Sequence, residues 1–354
     1  MSDDYQLLID ATTRIFEDLC DPQKVNSAHN GSWRRGLWQA LEESGLTLAW
    51  VPERYGGSGG TLANGFDIIE VTGQFAAPIA LPETLLAGWL LSKARIPCPT
   101  GMLTVAPFRP RDKITINSDN MLMGKVRGIA FAGDVENIAV LAYRNEMPYI
   151  GLVEANSCTI TPNSGLSGDG RDVVNFDNVD ASELKEVRDG FGRQELLLMG
   201  ATIRSIQIGG ALQAILRLAT EYAKERVAFE KPISKFQVIQ HNLAKLANET
   251  AAAVAVARSS ADTINTNLEN SDAVFLEAAS AKIRTGEAAG EGAAIAHQVY
   301  GAIGFTEEHI LHRFTQRLWD WRDDFGNESE WAVQLGELIA TRGADELWPL
   351  LTSR

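Results

Sequence analysis

The sequence predicts a mostly helical α+β protein with an N-terminal helical domain, a central antiparallel β domain and a C-terminal antiparallel helix bundle. Two observations predict this order. The spacing of apolar residues is helical at both ends of the chain, and it changes in the middle to short runs rich in Val, Ile and Thr. With 354 residues, the chain is long enough for two or three domains. The predicted domains comprise residues 1–100, 101–185 and 186–354.

The N-terminal domain is predicted to be helical because apolar residues recur at helix-like intervals from Asp4 to about Leu91. Pro22 ends the first of these runs, since proline does not fit a helix interior. The glycine-rich segment from Val51 to Gly60 is predicted to form a turn between helices.

The central domain is predicted from about Leu103 to Val179, where Asn, Asp and Gly separate short β-branched runs. We expect these runs to form an antiparallel barrel or sandwich. The predicted strands cover residues 114–116, 121–123, 139–142, 149–153, 158–160 and 172–176.

The C-terminal bundle is predicted from Gly192 onward, because long amphipathic segments follow one another with short connections. The third segment carries many alanines, which would allow close packing against a neighbouring helix. The predicted helices cover residues 193–226, 234–266, 272–301, 307–319 and 328–351.

Composition argues against several classes of protein. A net charge of -14 disfavours nucleic acid and anionic membrane as partners, because both would repel the chain. No stretch reaches the ~18 apolar residues of a membrane span, and three scattered cysteines indicate free thiols in a reducing compartment. His309 and His312 have no third ligand suggested nearby, so no metal site is expected. Together these features predict a cytoplasmic protein.

The most informative motif runs from Arg226 to Gln237, where Pro232 separates two long helical patterns. It resembles the signature of the acyl-CoA dehydrogenase family. In that family an arginine, a phenylalanine three residues later and a glutamine eight residues beyond it meet the adenosine diphosphate half of FAD at a subunit contact. The resemblance implies FAD as cofactor, with Arg226, Phe229 and Gln237 in those roles. Without the resemblance, a second interpretation fits the motif equally well. In it, Arg226 is a charge at a helix C-terminus, and Phe229 and Phe236 are core residues.

A second motif starts at Gln298 and resembles the family's Gln-x-x-Gly-Gly-x-Gly pattern, with Ala302 in place of the middle glycine. The resemblance implies that Gln298, Gly301 and Gly304 approach the adenosine part of an FAD bound to a neighbouring subunit. The same residues also fit a helix C-cap with Gly301 or Gly304 in the left-handed conformation, which needs no ligand.

The resemblance implies an oxidoreductase that removes two hydrogens from the Cα and Cβ of an acyl-CoA thioester. In the family a carboxylate takes the α proton, and the β hydrogen leaves as hydride to the flavin. The base must lie within hydrogen-bond reach of the α carbon. The family passes electrons to an electron-transfer flavoprotein, which is therefore a possible acceptor.

The chain departs from the family where that base should stand. A gapless count from Gln298 brings the usual glutamate position to Phe325. A second position, used by some relatives, falls at about Gly200. Neither residue is acidic.

Asp324 is the carboxylate nearest to the usual position and is the candidate base. Alternatively, Asp323 and Asp324 cap or solvate a turn between helices, with Arg317 or Arg322 as partners. Glu328 has a weaker claim, because it is expected to begin the final helix.

The front of the β domain departs from the family as well. Family members carry a stretch like Thr-Glu-Pro-x-Ala-Gly-Ser-Asp there, which meets the flavin ring and the thioester. This chain has Leu103-Thr-Val-Ala-Pro-Phe-Arg109 instead. We expect a core strand, with Thr104 as the one polar group that could still contact the flavin.

The adenosine-side motifs are thus retained, whereas the flavin-ring and base motifs are lost. This division resembles the short subunits of two-component acyl-CoA dehydrogenases, which act on bulky substrates such as steroid side-chain CoA thioesters. The sequence therefore predicts a subunit that assembles with another chain of the family around an acyl-CoA substrate. Three alternatives stay open: a homomeric enzyme that uses Asp324, a flavin-free scaffold subunit, and a flavin monooxygenase on the same fold.

Overall fold

The computed structural model describes residues 3–27, 33–107, 109, 111–187, 190–266 and 271–352. Its first part is helical, as predicted. A reciprocal capping box begins the fourth helix, because Thr61 Oγ1 accepts from the Asn64 N–H and Asn64 Oδ1 accepts from the Thr61 N–H. The helices are α1 (Asp3–Leu19), α2 (Pro22–Ser27), α3 (Trp33–Glu43), α4 (Leu62–Gln74) and α5 (Leu81–Lys93).

The middle of the chain forms one sheet, and every predicted strand is present. The strands are β1 (Leu103–Ala106), β2 (Ile114–Ile116), β3 (Leu122–Ala130), β4 (Asn137–Arg144), β5 (Met147–Glu154), β6 (Thr159–Thr161), β7 (Arg171–Val179) and β8 (Glu183–Glu186). Their order is β6-β7-β3-β2-β4-β5-β8, with β1 beside β4. The sequence pattern did not indicate β8, since this strand is charged and largely exposed.

The prediction of a purely antiparallel sheet is wrong. Strands β1 and β2 both run parallel to β4, and the other pairings are antiparallel. The reason is that β2 lies between β3 and β4, although β3 and β4 are consecutive along the chain. Apolar runs predict where strands occur, but not which strands become neighbours.

The last part of the chain is a bundle of long helices, and their predicted positions are close to the observed ones. The elements are α6 (Arg193–Glu225), a hairpin of β9 (Val227–Ala228) and β10 (Lys231–Pro232), α7 (Gln237–Thr266), α8 (Ser271–Tyr300), α9 (Leu311–Asp323), α10 (Glu328–Arg342) and α11 (Leu347–Thr352). The predicted single final helix is wrong, because the backbone of Gly343 lies outside the helical region (φ 90) and separates α10 from α11. None of the described helices is long and apolar enough to cross a membrane.

One hydrophobic core connects the three parts. It includes Phe16 of α1, Val140 of β4, Ile203 of α6 and Trp331 of α10. Helix α6 is buried on all sides from Leu196 to Leu212, since it contacts α4, α5, α7 and α8. The division into three domains stays a prediction, because the parts share this core.

Helices α4 and α6 cross with their backbones almost in contact. A Cβ built on Gly210 would lie 2.2 Å from Glu70 O, and one built on Gly73 would lie 2.1 Å from Gln207 O. Only a residue without a side chain fits such an approach. This crossing fixes α6 against the N-terminal helices.

We predict that Gly210→Ala lowers the free energy of unfolding by about 1–3 kcal/mol, because the new methyl group must push two backbones apart. Gly336→Ala is the matched control, since Gly336 lies in α10 and a Cβ built on it would have nothing within 4 Å. That control should gain up to about 1 kcal/mol from helix propensity. Urea denaturation measures the free energy of unfolding of both variants. If both substitutions changed it in the same direction, the close crossing of α4 and α6 would be contradicted.

Candidate functional site

The first motif lies where α6 ends and α7 begins, and its three predicted cofactor residues are exposed. Arg226 caps the C-terminus of α6, where its backbone N–H donates to Tyr222 O at 2.8 Å. The β9–β10 hairpin then presents Phe229, which has a left-handed backbone (φ 51) and is 89% exposed. Gln237 begins α7 and is also exposed. The interpretation of Phe229 as a core residue is therefore wrong, while Phe236 is half-buried.

The second motif follows α8 and has the predicted helix end. Gly301 comes directly after α8 and has a left-handed backbone (φ 66). Gly304 is buried, and a Cβ built on it would lie 2.9 Å from Tyr300 Cβ. Gln298 is exposed on the last turn of α8. The capping interpretation of Gly301 is confirmed, and it leaves the Gln298 amide available for a ligand.

The two motifs lie at the same end of the bundle. The Tyr222 ring, one turn before Arg226, stacks on the Tyr300 ring next to Gly301, with centroids 4.3 Å apart. Beside the second motif is a groove of about 520 Å³ that includes Gln298 and Gly301. In its wall the His297 ring stacks on Phe305 at 4.1 Å. We call this region, from Tyr222 to Gln237 and from His297 to Phe305, the adenosine end.

The adenosine end leaves apolar and cationic groups uncovered. Arg226 has no ion pair among the residues that the structure describes. Large apolar side chains of the two motifs are also exposed: Val227 56%, Phe229 89%, Val238 65%, Ile303 40% and Phe305 69%. Single chains rarely expose such a concentration of apolar surface unless another molecule covers it.

The two positions that the resemblance assigns to the base are in contact. A Cβ built on Gly200 of α6 would lie only 2.3 Å from the Phe325 ring, which follows α9. The Phe325 side chain is 1% exposed, and its backbone is left-handed (φ 56). The phenyl ring thus occupies the space beside Gly200, and neither position offers a carboxylate.

Asp324 lies in a buried cluster of charges rather than in an open pocket. Its two carboxylate oxygens accept hydrogen bonds from the guanidinium groups of Arg171 and Arg204, the second at 2.8 Å. Arg204 also pairs with Glu83 and donates to Gln207 Oε1 at 2.6 Å. We call Glu83, Arg171, Arg204 and Asp324 the buried charge cluster.

The prediction that Arg317 or Arg322 pairs with Asp324 is wrong. Arg317 pairs instead with Asp169 at 2.6 Å, and Arg322 pairs with Glu328 at 2.7 Å. The partners of Asp324 come from β7 and α6, which are distant in the sequence and could not be inferred from the residues of the turn.

The buried charge cluster makes Asp324 a weak base. Burial would raise the pKa of Asp324, but the positive charges of Arg171 and Arg204 outweigh it, so the pKa lies below its ordinary value. A general base works best with a pKa near the working pH. The role of Asp324 as base stays a prediction, and its surroundings disfavour it.

Lys282 of α8 holds the end of α9 beside this cluster. Its ammonium group is fully buried and donates to the carbonyl oxygens of Trp321, at 3.4 Å, and Arg322. A cation suits a helix C-terminus, where carbonyl groups lack intrahelical partners. Burial lowers the pKa of Lys282 to about 8.

The front of the sheet is closed as predicted. Strand β1 is entirely buried, and the Thr104 hydroxyl donates to Ala130 O at 2.7 Å. The hydroxyl hydrogen of Thr104 is therefore used within the sheet. The connection between β6 and β7 is attached to α9, because Asp320 accepts the backbone N–H groups of Leu166 and Ser167, each at 2.9 Å.

The sequence motifs do not point to Glu83, Arg171 or Arg204. A signal exists for two of them, since Glu83 and Arg204 are ionisable residues inside long apolar helical runs. Such residues are buried only when paired. The partner of each, however, depends on how distant segments meet.

Two family descriptions match the chain. "Acyl-CoA dehydrogenase, N-terminal domain" matches residues 2–93, and "Acyl-CoA dehydrogenase, C-terminal domain" matches residues 189–318. The chain belongs to the acyl-CoA dehydrogenase family. This acyl-CoA dehydrogenase is therefore an oxidoreductase acting on CH–CH bonds, and the family confirms FAD as the predicted cofactor.

Individual relatives agree over almost the full length. The acyl-CoA dehydrogenase IpdE2 of Mycobacterium tuberculosis is 26% identical over 318 residues, covering 88% of this chain and 90% of the relative. A structure of the ChsE4-ChsE5 complex from the same organism superimposes with a TM-score of 0.84 at 19% identity, covering 96% and 98% of the two chains. The Tcur3481-Tcur3483 steroid ACAD gives a TM-score of 0.82 at 22% identity, with the same coverage. These similarities confirm the predicted fold.

The residues of this acyl-CoA dehydrogenase fit FAD at the adenosine end. At the adenosine end, an exposed guanidinium, exposed amides and a glycine without a Cβ match a pyrophosphate and an adenosine. At the positions that the resemblance assigns to the base, the ring of Phe325 lies on Gly200, and the nearest carboxylate, that of Asp324, is held by two arginines. The described ranges contain no group of His, Cys, Asp and Glu arranged to hold a metal ion.

We predict that Arg204→Met lowers the free energy of unfolding by about 3–5 kcal/mol, because Glu83 and Asp324 would be left buried without their shared cation. The control is Arg342→Met, which removes a partly exposed partner of Asp272 and should cost less than about 1 kcal/mol. Urea denaturation measures the free energy of unfolding of both variants. Equal decreases would contradict a stabilising role of the buried charge cluster.

A second prediction concerns pH. In the unfolded chain Lys282 keeps its proton up to the ordinary pKa of 10.5, whereas the folded protein releases it near pH 8. The unfolded state therefore binds more protons within this window, so stability should rise with pH relative to Lys282→Met. Urea denaturation of both proteins at several pH values measures the difference, and parallel curves from pH 8 to pH 10.5 would refute it.

Proposed function

We propose that this chain is one subunit of a heteromeric, FAD-dependent acyl-CoA dehydrogenase. In this proposal it supplies adenosine contacts to an FAD shared with an unlike chain of the same family, and that chain supplies the base. The desaturated substrate is an acyl-CoA thioester. The contact between Phe325 and Gly200 is the observation that carries the proposal, because neither of these positions, to which the resemblance assigns the base, has a carboxylate, and the ring fills the space beside Gly200.

The adenosine end supports the cofactor part of the proposal. Arg226 would pair with pyrophosphate oxygens through its planar fork of donors. The amides of Gln237 and Gln298 can both donate and accept hydrogen bonds. At Gly301 no Cβ prevents a close approach to the backbone. When bound, FAD would supply the hydride acceptor, and the chain would supply binding and orientation.

The exposed surface supports an oligomer. Phe229 and Phe305, both more than half exposed in the single chain, flank the residues proposed to bind FAD. Covering them with another subunit would remove apolar area from water and enclose the cofactor. The structurally similar ChsE4-ChsE5 complex contains two differently named chains. This is consistent with an unlike partner for the present chain.

The substrate class is proposed from the relatives. The Tcur3481-Tcur3483 protein is described as a steroid ACAD, and a bulky thioester such as a steroid side-chain CoA is the substrate we propose for the assembled enzyme. An electron-transfer flavoprotein is the proposed acceptor. The homomeric alternative would require Asp324 to leave Arg171 and Arg204 during turnover, and no feature of the described residues favours that rearrangement.

The first experiment compares the chain alone with the chain produced together with an unlike acyl-CoA dehydrogenase chain from the same organism. Alone, it should be colourless; together, the two should form a yellow complex that contains both chains and oxidises acyl-CoA. Visible absorption, FAD content and native mass are measured on the same samples. A yellow homo-oligomer with full activity and about one FAD per chain would contradict the proposal.

We predict that Arg226→Gln weakens FAD retention in that complex by about tenfold or more, because a charged contact to a phosphate is lost. Arg14→Gln is the control, since Arg14 is an exposed arginine of α1, a helix that carries neither motif. FAD released during gel filtration measures retention without relying on activity. If both variants retained FAD equally well, Arg226 would not be part of the cofactor site.

A further inference from the structure

The groove at the adenosine end extends beyond the residues of the second motif. Its volume is about 520 Å³, within the range of small-molecule sites. It is lined by Gly290 and Ala294 of α8, by Phe305 in the segment that follows α8, and by Trp319 of α9, besides Gln298 and Gly301. The resemblance gives none of these first four residues a contact with FAD.

Three aromatic rings at this groove are nearly parallel. The Phe305 ring stacks on the His297 ring, with centroids 4.1 Å apart and planes inclined by 16°. The Trp319 ring is inclined to the His297 ring by 22°, with centroids 6.2 Å apart. A flat ligand ring that enters the groove can adopt the same orientation, in the offset or parallel stacking that aromatic pairs prefer.

The Phe305 ring has one free face. The His297 ring covers the other face, yet Phe305 is 69% exposed. Covering this face would remove apolar area from water. A nucleotide base suits it, because every base has a flat π surface that stacks on an aromatic side chain.

The stack is fixed in place before any ligand binds. His297 is 6% exposed, and its Nε2 lies 3.0 Å from the hydroxyl oxygen of Thr315, a fully buried residue of α9. The Phe305 ring therefore lies on a support that is tied to both α8 and α9. A preformed surface of this kind lowers the entropic cost of binding.

The groove suits an uncharged ring rather than a phosphate. Among the described residues that line it, none is Asp, Glu, Lys or Arg. Burial lowers the pKa of His297, and the nearby His312 lowers it further, so the His297 ring is neutral at pH 7. Arg322, whose guanidinium would lie 3.5 Å from a Cβ built on Gly290, is already paired with Glu328.

The α8 side of the groove combines open space with one polar group. Gly290, Ala294 and Gln298 follow one another at intervals of four residues and so share a face of the helix. The first two have no side chain larger than a methyl group, and Ala294 is exposed. The exposed Gln298 amide can both donate and accept, as the edge of an adenine does.

We propose that the adenine ring of the shared FAD lies in this groove, stacked on the free face of Phe305 and bordered by Trp319. The inference rests on the proposed function, because it requires FAD at the adenosine end. It divides the cofactor between two places: Arg226 meets the pyrophosphate, and the groove meets the base. The stack of Tyr222 on Tyr300 keeps these two places at one end of the bundle.

The test uses the complex with the unlike chain and measures FAD released during gel filtration. Phe305→Leu keeps an apolar side chain but removes the flat face, so FAD retention should weaken by about tenfold or more. Phe305→Tyr keeps the ring and should restore the retention of the unaltered complex. The native mass of each variant shows whether both chains are still present.

A second variant acts on the same groove in the opposite way. Ala294→Leu places a side chain in the space proposed for the base and should weaken FAD retention by about tenfold or more. Ala340→Leu is the matched control, since Ala340 is an exposed alanine of α10 and does not line the groove. It should leave FAD retention unchanged.

The outcomes separate this inference from the proposed function. Equal retention by Phe305→Leu and Phe305→Tyr, or unchanged retention in Ala294→Leu, would overturn the inference, while FAD in the unaltered complex would still support the proposed function. Loss of the two-chain complex in Phe305→Leu would also overturn it, because the ring would then serve the contact between subunits. An unaltered complex without FAD would contradict the proposed function, and the inference with it.

Discussion

The buried charge cluster is the constraint on which the rest of this structure depends. It joins Glu83 of α5, Arg204 of α6, Arg171 of β7 and Asp324 after α9, and so connects all three parts of the chain. Charges removed from water are tolerated only when each finds partners with good geometry. The segments that carry them must therefore meet in one arrangement, and that arrangement places the Phe325 ring on Gly200.

Two regions of the same bundle consequently differ in character. Around Asp324 the chain is closed, because ion pairs hold its carboxylate and the Phe325 ring fills the space beside Gly200. Around Arg226 and Gln298 the chain is open, and its polar and apolar groups are exposed. A scaffold can be retained while one of its sites is lost, since chemistry depends on the residues of the site rather than on the fold.

Much of the fold follows from the sequence because it rests on local patterns. Apolar periodicity located α6 and α8 within a residue or two of their observed ends. The same patterns did not reveal that β2 lies between β3 and β4, nor that Gly343 divides the last helix. Sheet order is set by contacts between distant segments, and the effect of a glycine depends on the conformation that its neighbours impose.

The sequence by itself determined the family and the succession of helices and strands, because spacing along the chain is sufficient for each, and it predicts that the base is missing at Phe325 and Gly200. Tertiary structure alone decided the surroundings of Asp324, the carboxylate nearest to these positions. Asp324 is adjacent to Phe325 in sequence, yet its partners Arg171 and Arg204 are more than a hundred residues away. The pKa of a carboxyl group depends on the charges and solvent around it, and those are fixed only when the chain has folded.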